Sequence, residues 1–201
     1  MRNFKLFFLV ALIISTVFLC CGFDNSETIT EADFNLFLQV AKAGDADAQF
    51  AVGWCYTHGA GTGIDYDKAF EWFQKAAVQS NIDAQNALAF CYYLGNGTET
   101  NYEEAFNWWQ KAAVQGYSTA QYNLGICYSN GIGTEQNYEK AFEWYKKAAE
   151  QGYASAQYNL GFCYEHGKGT EIDKVKAIQW YLKAAEQGDA DASAALDRLR
   201  K

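Results

Sequence analysis

The sequence predicts an all-α chain, a right-handed α-solenoid (α/α superhelix) of stacked helix hairpins, and three observations carry that expectation. One phrase recurs four times at a fixed period of 36 residues, without insertion or deletion, so that Cys55, Cys91, Cys127 and Cys163 are equivalent, as are Trp72, Trp108, Trp144 and Trp180. Within each copy, two apolar runs at helical spacing flank a Gly-x-Gly loop: Gly59/Gly61, Gly95/Gly97, Gly131/Gly133 and Gly167/Gly169. The chain contains no proline, as suits helices joined by glycine loops. Periods of roughly 20 to 50 residues mark solenoids and related arrays, because a single hairpin cannot bury its own apolar faces and neighbouring copies must cover them.

The first run, helix A, places Ala48, Val52, Cys55 and Tyr56 at i, i+4, i+7 and i+8, which predicts one buried face. The loop glycines end it, since glycine adopts backbone angles that other residues avoid. Helix B follows. Asp65, Asn101, Asn137 and Asp173 hold one repeat position and are expected to cap its first turn. Ala69, Trp72, Phe73, Ala76 and Ala77 form its expected buried face. Ser80, Gly116, Gly152 and Gly188 follow its end, where a positive φ is expected. Gly53, Gly125 and Gly161 lie inside helix A, with Ala89 in the second copy. Interior glycine costs roughly 1 kcal/mol relative to alanine, so close helix approach is the expected reason for it.

The register divides the chain into a leader over 1–21, a polar tether over 22–30 and an N-terminal capping helix over 31–45. Repeats follow over 46–81, 82–117, 118–153 and 154–189, and then a C-terminal capping helix over 190–201. Thr30 with Asp33 reads as a capping pair opening the first of these helices. The segment 31–45 corresponds to helix B of an absent copy and 190–201 to helix A of a fifth. Asp197, Arg198, Arg200 and Lys201 make the last one polar, as the end of a solenoid requires.

The phrase Ala-x-x-Gln-Tyr-Asn-Leu-Gly-x-x-Tyr, then Gly-x-Gly-Thr, then Tyr-x-x-Ala-x-x-Trp-Tyr-x-Lys-Ala-Ala-x-Gln-Gly resembles the Sel1-like repeat, a relative of the tetratricopeptide repeat. The resemblance spans about Ala46 to Asp189. Two departures are Thr after the loop glycines, where the family more often has Val, and Lys174, where the other copies hold Tyr66, Tyr102 and Tyr138. The resemblance implies a non-catalytic scaffold or adaptor that binds a protein or peptide. Some secreted relatives are linked to penicillin binding or β-lactamase activity, and others staple each hairpin with two cysteines. This chain carries one cysteine per copy, so the staple does not transfer.

Residues 1–21 read differently. Arg2 and Lys5 precede an apolar run from Leu6 to Cys21 without an acidic residue, the pattern of a secretory signal. An uncleaved anchor is the alternative, at the short edge of the roughly 20 residues a bilayer span needs. Cleavage after Gly22 and lipid attachment at Cys20 or Cys21 are both open. Export to the periplasm, to a membrane surface or out of the cell is expected, with membrane contact only through this segment.

The net charge of −8 and the restriction of arginine to positions 2, 198 and 200 exclude a nucleic-acid surface. The four equivalent cysteines read as small buried hydrophobes. Successive copies stand on the order of 10 Å apart, beyond the roughly 7 Å that a disulfide spans, and no histidine or second cysteine lies at ligand spacing. His58 and His166 are three repeats apart. No serine–lysine, zinc-binding or nucleotide-binding motif is present, so neither a catalytic residue nor a cofactor is expected.

In tetratricopeptide-like folds helix A lines the concave surface. The side of helix A facing away from its core holds Phe50, Tyr122 and Tyr158, the row Trp54, Phe90, Ile126 and Phe162, then Tyr93 and Asn130. Exposed aromatic stripes mark binding surfaces. Phe50, Trp54, Phe90, Tyr93, Tyr122, Asn130, Tyr158 and Phe162 are therefore the candidate groove residues. Phe50, Tyr93, Tyr122 and Tyr158 are expected exposed, while the Trp54 row either lines the groove or packs between neighbouring helices A. Carbohydrate or cell wall is the alternative ligand, since Trp and Tyr rings stack on sugars.

Overall fold

Asp65, Asn101, Asn137 and Asp173 each accept a hydrogen bond from the backbone N–H three residues on, at 2.8–3.1 Å. Each supplies one of the acceptors that the first turn of a helix lacks. Gly59, Gly95, Gly131 and Gly167, with φ between 67° and 76°, end the helices A in left-handed caps. The structure is a computed structural model that describes residues 29–200. Among the described residues these signals delimit ten helices and no strand: α1 (Glu31–Lys42), α2 (Ala46–His58), α3 (Tyr66–Ala77), α4 (Ile82–Leu94), α5 (Tyr102–Val114), α6 (Ser118–Asn130), α7 (Tyr138–Glu150), α8 (Ala154–His166), α9 (Lys174–Glu186) and α10 (Ala190–Leu199). The leader, most of the tether and the lipidation candidates Cys20 and Cys21 lie outside the described residues. None of the described helices is long and apolar enough to cross a membrane.

The described residues form two compact units, one ending at Thr100 and the other beginning at Asn101. In the first, α2 packs against both α1 and α3, and α3 against α4. Phe34, Phe37, Val40 and Ala41 of α1 share a core with Ala48, Val52 and Cys55 of α2. The Thr30–Asp33 capping box holds the start of α1. In the second unit α5 to α10 pack in sequence order, each against the next. At its end Tyr181 and Ala184 of α9 are buried with Ala192, Ala195 and Leu196 of α10.

At four junctions, α1 to α2, α3 to α4, α5 to α6 and α7 to α8, a helix B is fastened to the next helix A in the same two ways. A phenylalanine of helix B meets, edge to face, a tyrosine of the following helix A: Phe34–Tyr56, Phe70–Tyr92, Phe106–Tyr128 and Phe142–Tyr164, with centroids 5.2–5.3 Å apart. Buried glutamines provide the other link. Gln49, Gln85, Gln121 and Gln157 donate through Nε2 to the carbonyls of Ala41, Ala77, Ala113 and Ala149 at 3.1–3.3 Å. Those carbonyls belong to the last turns of helices B, where each also accepts from the backbone N–H three residues on, so the glutamine fills the second acceptor site. The Oε1 atoms of Gln49, Gln121 and Gln157 in turn accept from Gln79, Gln151 and Gln187 at 2.7–2.8 Å. A buried amide satisfied on both sides costs little, whereas an unsatisfied one costs about 1–3 kcal/mol.

Two expectations are corrected. Helix A does not bury a single face: Gln49, Phe50, Ala51 and Gly53 of α2 are buried along with Ala48, Val52 and Cys55, because α2 is covered by a helix B on either side. Nor does the repeat tryptophan belong to the sealed face of helix B. Trp72, Trp108, Trp144 and Trp180 are half-buried. Lys75, Lys111, Lys147 and Lys183, one turn on, hold their amines 3.5–4.2 Å from the ring centroids. The lysine stem covers the ring and the charge gains a cation–π contact. The space next to helix A is taken instead by Phe73, Tyr145 and Tyr181, whose rings lie where a Cβ on Gly53, Gly125 and Gly161 would sit. The interior glycines thus serve close approach, as expected.

Candidate functional site

The eight candidate groove residues divide between the two units, Phe50, Trp54, Phe90 and Tyr93 in the first and Tyr122, Asn130, Tyr158 and Phe162 in the second. Phe50 is not exposed. It retains 9% of its surface and packs on Phe73 of its own hairpin, centroids 5.7 Å apart, a consequence of the burial of α2 on both sides. Trp54 is half-buried and stacks on His58 at 4.1 Å. The Nδ1–H tautomer of His58 donates to the Trp54 carbonyl at 2.9 Å. Phe90 and Tyr93 are half-buried. Tyr158 is also half-buried and packs on Tyr181, centroids 5.6 Å apart, so its ring belongs in part to the core of the last hairpin.

The other three, Tyr122, Asn130 and Phe162, come together. They line a cleft of about 500 Å³ in the second unit, within the usual range for ligand sites. Its walls are α6, which supplies Tyr122, Ile126 and Asn130, and α8, which supplies Asn159 and Phe162; its rim carries Gln136, Tyr138 and Lys168. The repeat register explains the arrangement, because α6 and α8 are the helices A of successive copies and both pack on α7. Phe162 exposes 38% of its surface, and one face of its ring is covered by His166 at 4.1 Å.

Polar side chains order the walls. Tyr122 lies between the rings of Tyr145 and Tyr153, at 6.0 and 5.1 Å. Burial, reinforced by Tyr153, pushes its phenol above the usual value, against the hydrogen bonds of Asn159 and Ser155. At the rim Gln136 donates to the Ser129 carbonyl at 2.8 Å and to the Tyr138 hydroxyl at 3.1 Å. The Lys168 amine stands 4.4 Å from the centroid of the Tyr138 ring. Asn130 is exposed. Cys163 reaches the cleft from below, but burial pushes its thiol up to about 12, so it remains protonated and a poor nucleophile. The cleft therefore offers an aromatic and aliphatic wall, neutral amides that both donate and accept, and one cation.

Sequence reasoning confined the site to helix A and so missed Gln136, Tyr138 and Lys168 in the loops and at the start of α7. A signal was present for Lys168: the corresponding loop positions hold Ala60, Asn96 and Ile132, so the charge is a departure confined to the last copy.

The profile described as Sel1 repeat matches residues 46–81, 82–117, 118–153 and 154–189. Among solved structures, c5321, described as a protective antigen present in uropathogenic Escherichia coli strains and displaying an SLR fold, is 38% identical with a TM-score of 0.77, over 79% of this chain and 34% of that one. The Sel1 repeat protein from Oxalobacter formigenes is 32% identical with a TM-score of 0.78, over 85% of this chain and 68% of that one. Cysteine rich protein B of Helicobacter pylori is 25% identical with a TM-score of 0.53, over 66% of this chain and 96% of that one. The chain thus spans about a third of the length of c5321. No curated protein matches it significantly.

Proposed function

The chain belongs to the Sel1 repeat family, and on that premise we propose that it is a non-catalytic binding module that holds a segment of a partner protein in the cleft between α6 and α8. Sel1 repeats commonly mediate protein–protein interaction. The observation that carries the reading is the cleft itself, where the exposed Phe162 ring stands beside Ile126 and the exposed amide of Asn130. An apolar anchor point ringed by hydrogen-bonding groups is the arrangement that interface hot spots share. The buried thiols, with Cys55, Cys127 and Cys163 pushed up to about 12 and Cys91 to about 11 by desolvation, offer no activated nucleophile.

The test is site-specific photo-crosslinking in a producing cell, with a photoreactive side chain at Asn130 of the full-length chain. A discrete protein adduct is expected, and it should fade when Phe162→Ala is added. A chain that crosslinks to nothing at Asn130, yet still captures the same partner through α3, would place the binding surface elsewhere.

The proposal includes export. Arg2 and Lys5 before the apolar run from Leu6 to Cys21 support it. Intact mass of the protein from its native cell should show loss of the first ~20 residues, with an added lipid if Cys20 or Cys21 is acylated. A cytosolic product retaining Met1 and Arg2 would overturn it.

A further inference from the structure

We propose that the cleft selects a carboxylate-bearing peptide segment, an aspartate or glutamate beside an apolar residue, and that Lys168 is the residue that reads the charge. The inference rests on the reading of the cleft as a partner-binding site and names what that site takes.

Lys168 is, among the described residues, the sole charged side chain lining the cleft, on a chain whose net charge is −8. It makes no ion pair among the described residues. Its position is fixed from two directions. Its amine lies over the Tyr138 ring, and the next residue, Gly169, presses on the Tyr138 carbonyl so closely that a Cβ there would collide with it. A half-buried lysine whose amine is held over a ring and has no carboxylate partner among the described residues is a ready anion site, since the ordering of its long side chain has already been met by the fold. Tyr138 is itself oriented by Gln136.

The rest of the cleft argues for a peptide rather than a small anion. Ile126 and Phe162 form an apolar wall, and the Asn130 amide can both donate to a backbone carbonyl and accept from a backbone N–H. A volume of about 500 Å³ exceeds what one carboxylate fills. An apolar side chain on the Phe162 wall, with an acidic neighbour reaching Lys168, uses every group at once.

The experiment uses two fluorescent tetrapeptide pools, both acetylated and amidated, one with Leu-Asp and the other with Leu-Asn at the centre, and follows anisotropy with the full chain. The Asp pool should bind about tenfold more tightly, the size of one charge-assisted hydrogen bond. Lys168→Met should erase that preference and leave the Asn pool unchanged, with the helical signal intact. Phe162→Ala should weaken both pools. Equal binding of the two pools, or a preference that survives Lys168→Met, overturns the inference while the cleft reading stands, provided Phe162→Ala still weakens binding. Displacement of the Asp pool by inorganic phosphate at equal concentration also overturns it, showing a simple anion site. If neither pool binds, or if binding ignores Phe162→Ala, the cleft reading and this inference fall together.

Discussion

Arg198 of α10 donates through one guanidinium nitrogen to both carboxylate oxygens of Glu165 in α8, at 2.8 Å each. Tyr181 of α9 donates to the same carboxylate at 2.7 Å. The first, second and third copies hold Thr57, Tyr93 and Ser129 at that position. The terminal half-unit is thus tied down by a carboxylate peculiar to the last copy.

Acid should loosen that tie. Burial raises the Glu165 carboxyl, but the hydrogen bonds from Tyr181 and Arg198 outweigh it and hold the group below the ordinary glutamate value of 4.5. A carboxylate depressed in the folded state stabilises above its unfolded pKa and ceases to do so as pH falls through its folded value. Thermal melts from pH 7 to pH 3 should therefore show Glu165→Gln below the parent at neutral pH and the two converging as the pH falls below 4.5, the direction set by the lowered pKa. Arg198→Ala should lower the neutral melting temperature and speed amide exchange in α10 first. A parent–variant gap that widens in acid would contradict this account.

Among the described residues, Ser80 is the non-glycine residue at positive φ, 67°. It occupies the place where the other copies have Gly116, Gly152 and Gly188. A left-handed residue with a Cβ costs roughly 1–2 kcal/mol, offset in part by glycine's greater freedom in the unfolded chain. Ser80→Gly should then stabilise the protein by about 0.5–1 kcal/mol in urea melts. Gly116→Ala should cost a similar amount: a Cβ there meets nothing within 4 Å, so φ alone is at stake. A neutral Ser80→Gly would refute the assignment of strain.

Gly125→Ala should be worse than its helix propensity promises. The change gains about 1 kcal/mol in propensity, but the new methyl collides with the Tyr145 ring, and overpacking costs typically 1–3 kcal/mol. Net destabilisation in denaturant melts is expected. Adding Tyr145→Ala should turn the same substitution favourable, which a merely conformational effect could not do.

Tyr158 and Phe162 separate stability from binding. The Tyr158 ring packs on the buried Tyr181, so Tyr158→Ala should cost about 2 kcal/mol through lost packing. Phe162 is largely outside the core, and Phe162→Ala should change stability by less than about 1 kcal/mol while weakening partner capture. Equal losses of melting temperature for the two would show that the cleft wall is core.

Much of this architecture is legible in the sequence because local chemistry decides it. Caps at Asp65, Asn101, Asn137 and Asp173 depend on residues three apart, and the chain-reversing glycines depend on φ alone. Helix A is less legible. With helix B on both sides it is apolar nearly all round, and a helix without a polar face gives the periodicity nothing to point with; hence Phe50 was expected outside and lies inside. Trp72 misleads in the opposite way, since a large apolar ring at an inward-looking position packs on the core with one part of its surface and is capped by Lys75 rather than sealed by protein all round. At the cleft, Tyr122, Asn130 and Phe162 are foreseeable from helix A, whereas Lys168 depends on a loop being pressed onto the preceding copy, which spacing within one copy cannot show.

The glutamine links carry a consequence for how such a chain can change length. Gln151 donates to the Gly116 carbonyl and Gln187 to the Gly152 carbonyl, both at 3.0 Å and both across 35 positions. Deleting residues 117–152 as a block brings Gln187 to the place Gln151 held, facing the same Gly116 acceptor. A deletion one residue longer or shorter turns every later side chain by about 100° and leaves amide and carbonyl unmatched. Changes of length in this protein are thereby quantised: whole periods can be removed or added with the glutamine links re-formed, while a single-residue indel inside a helix breaks them.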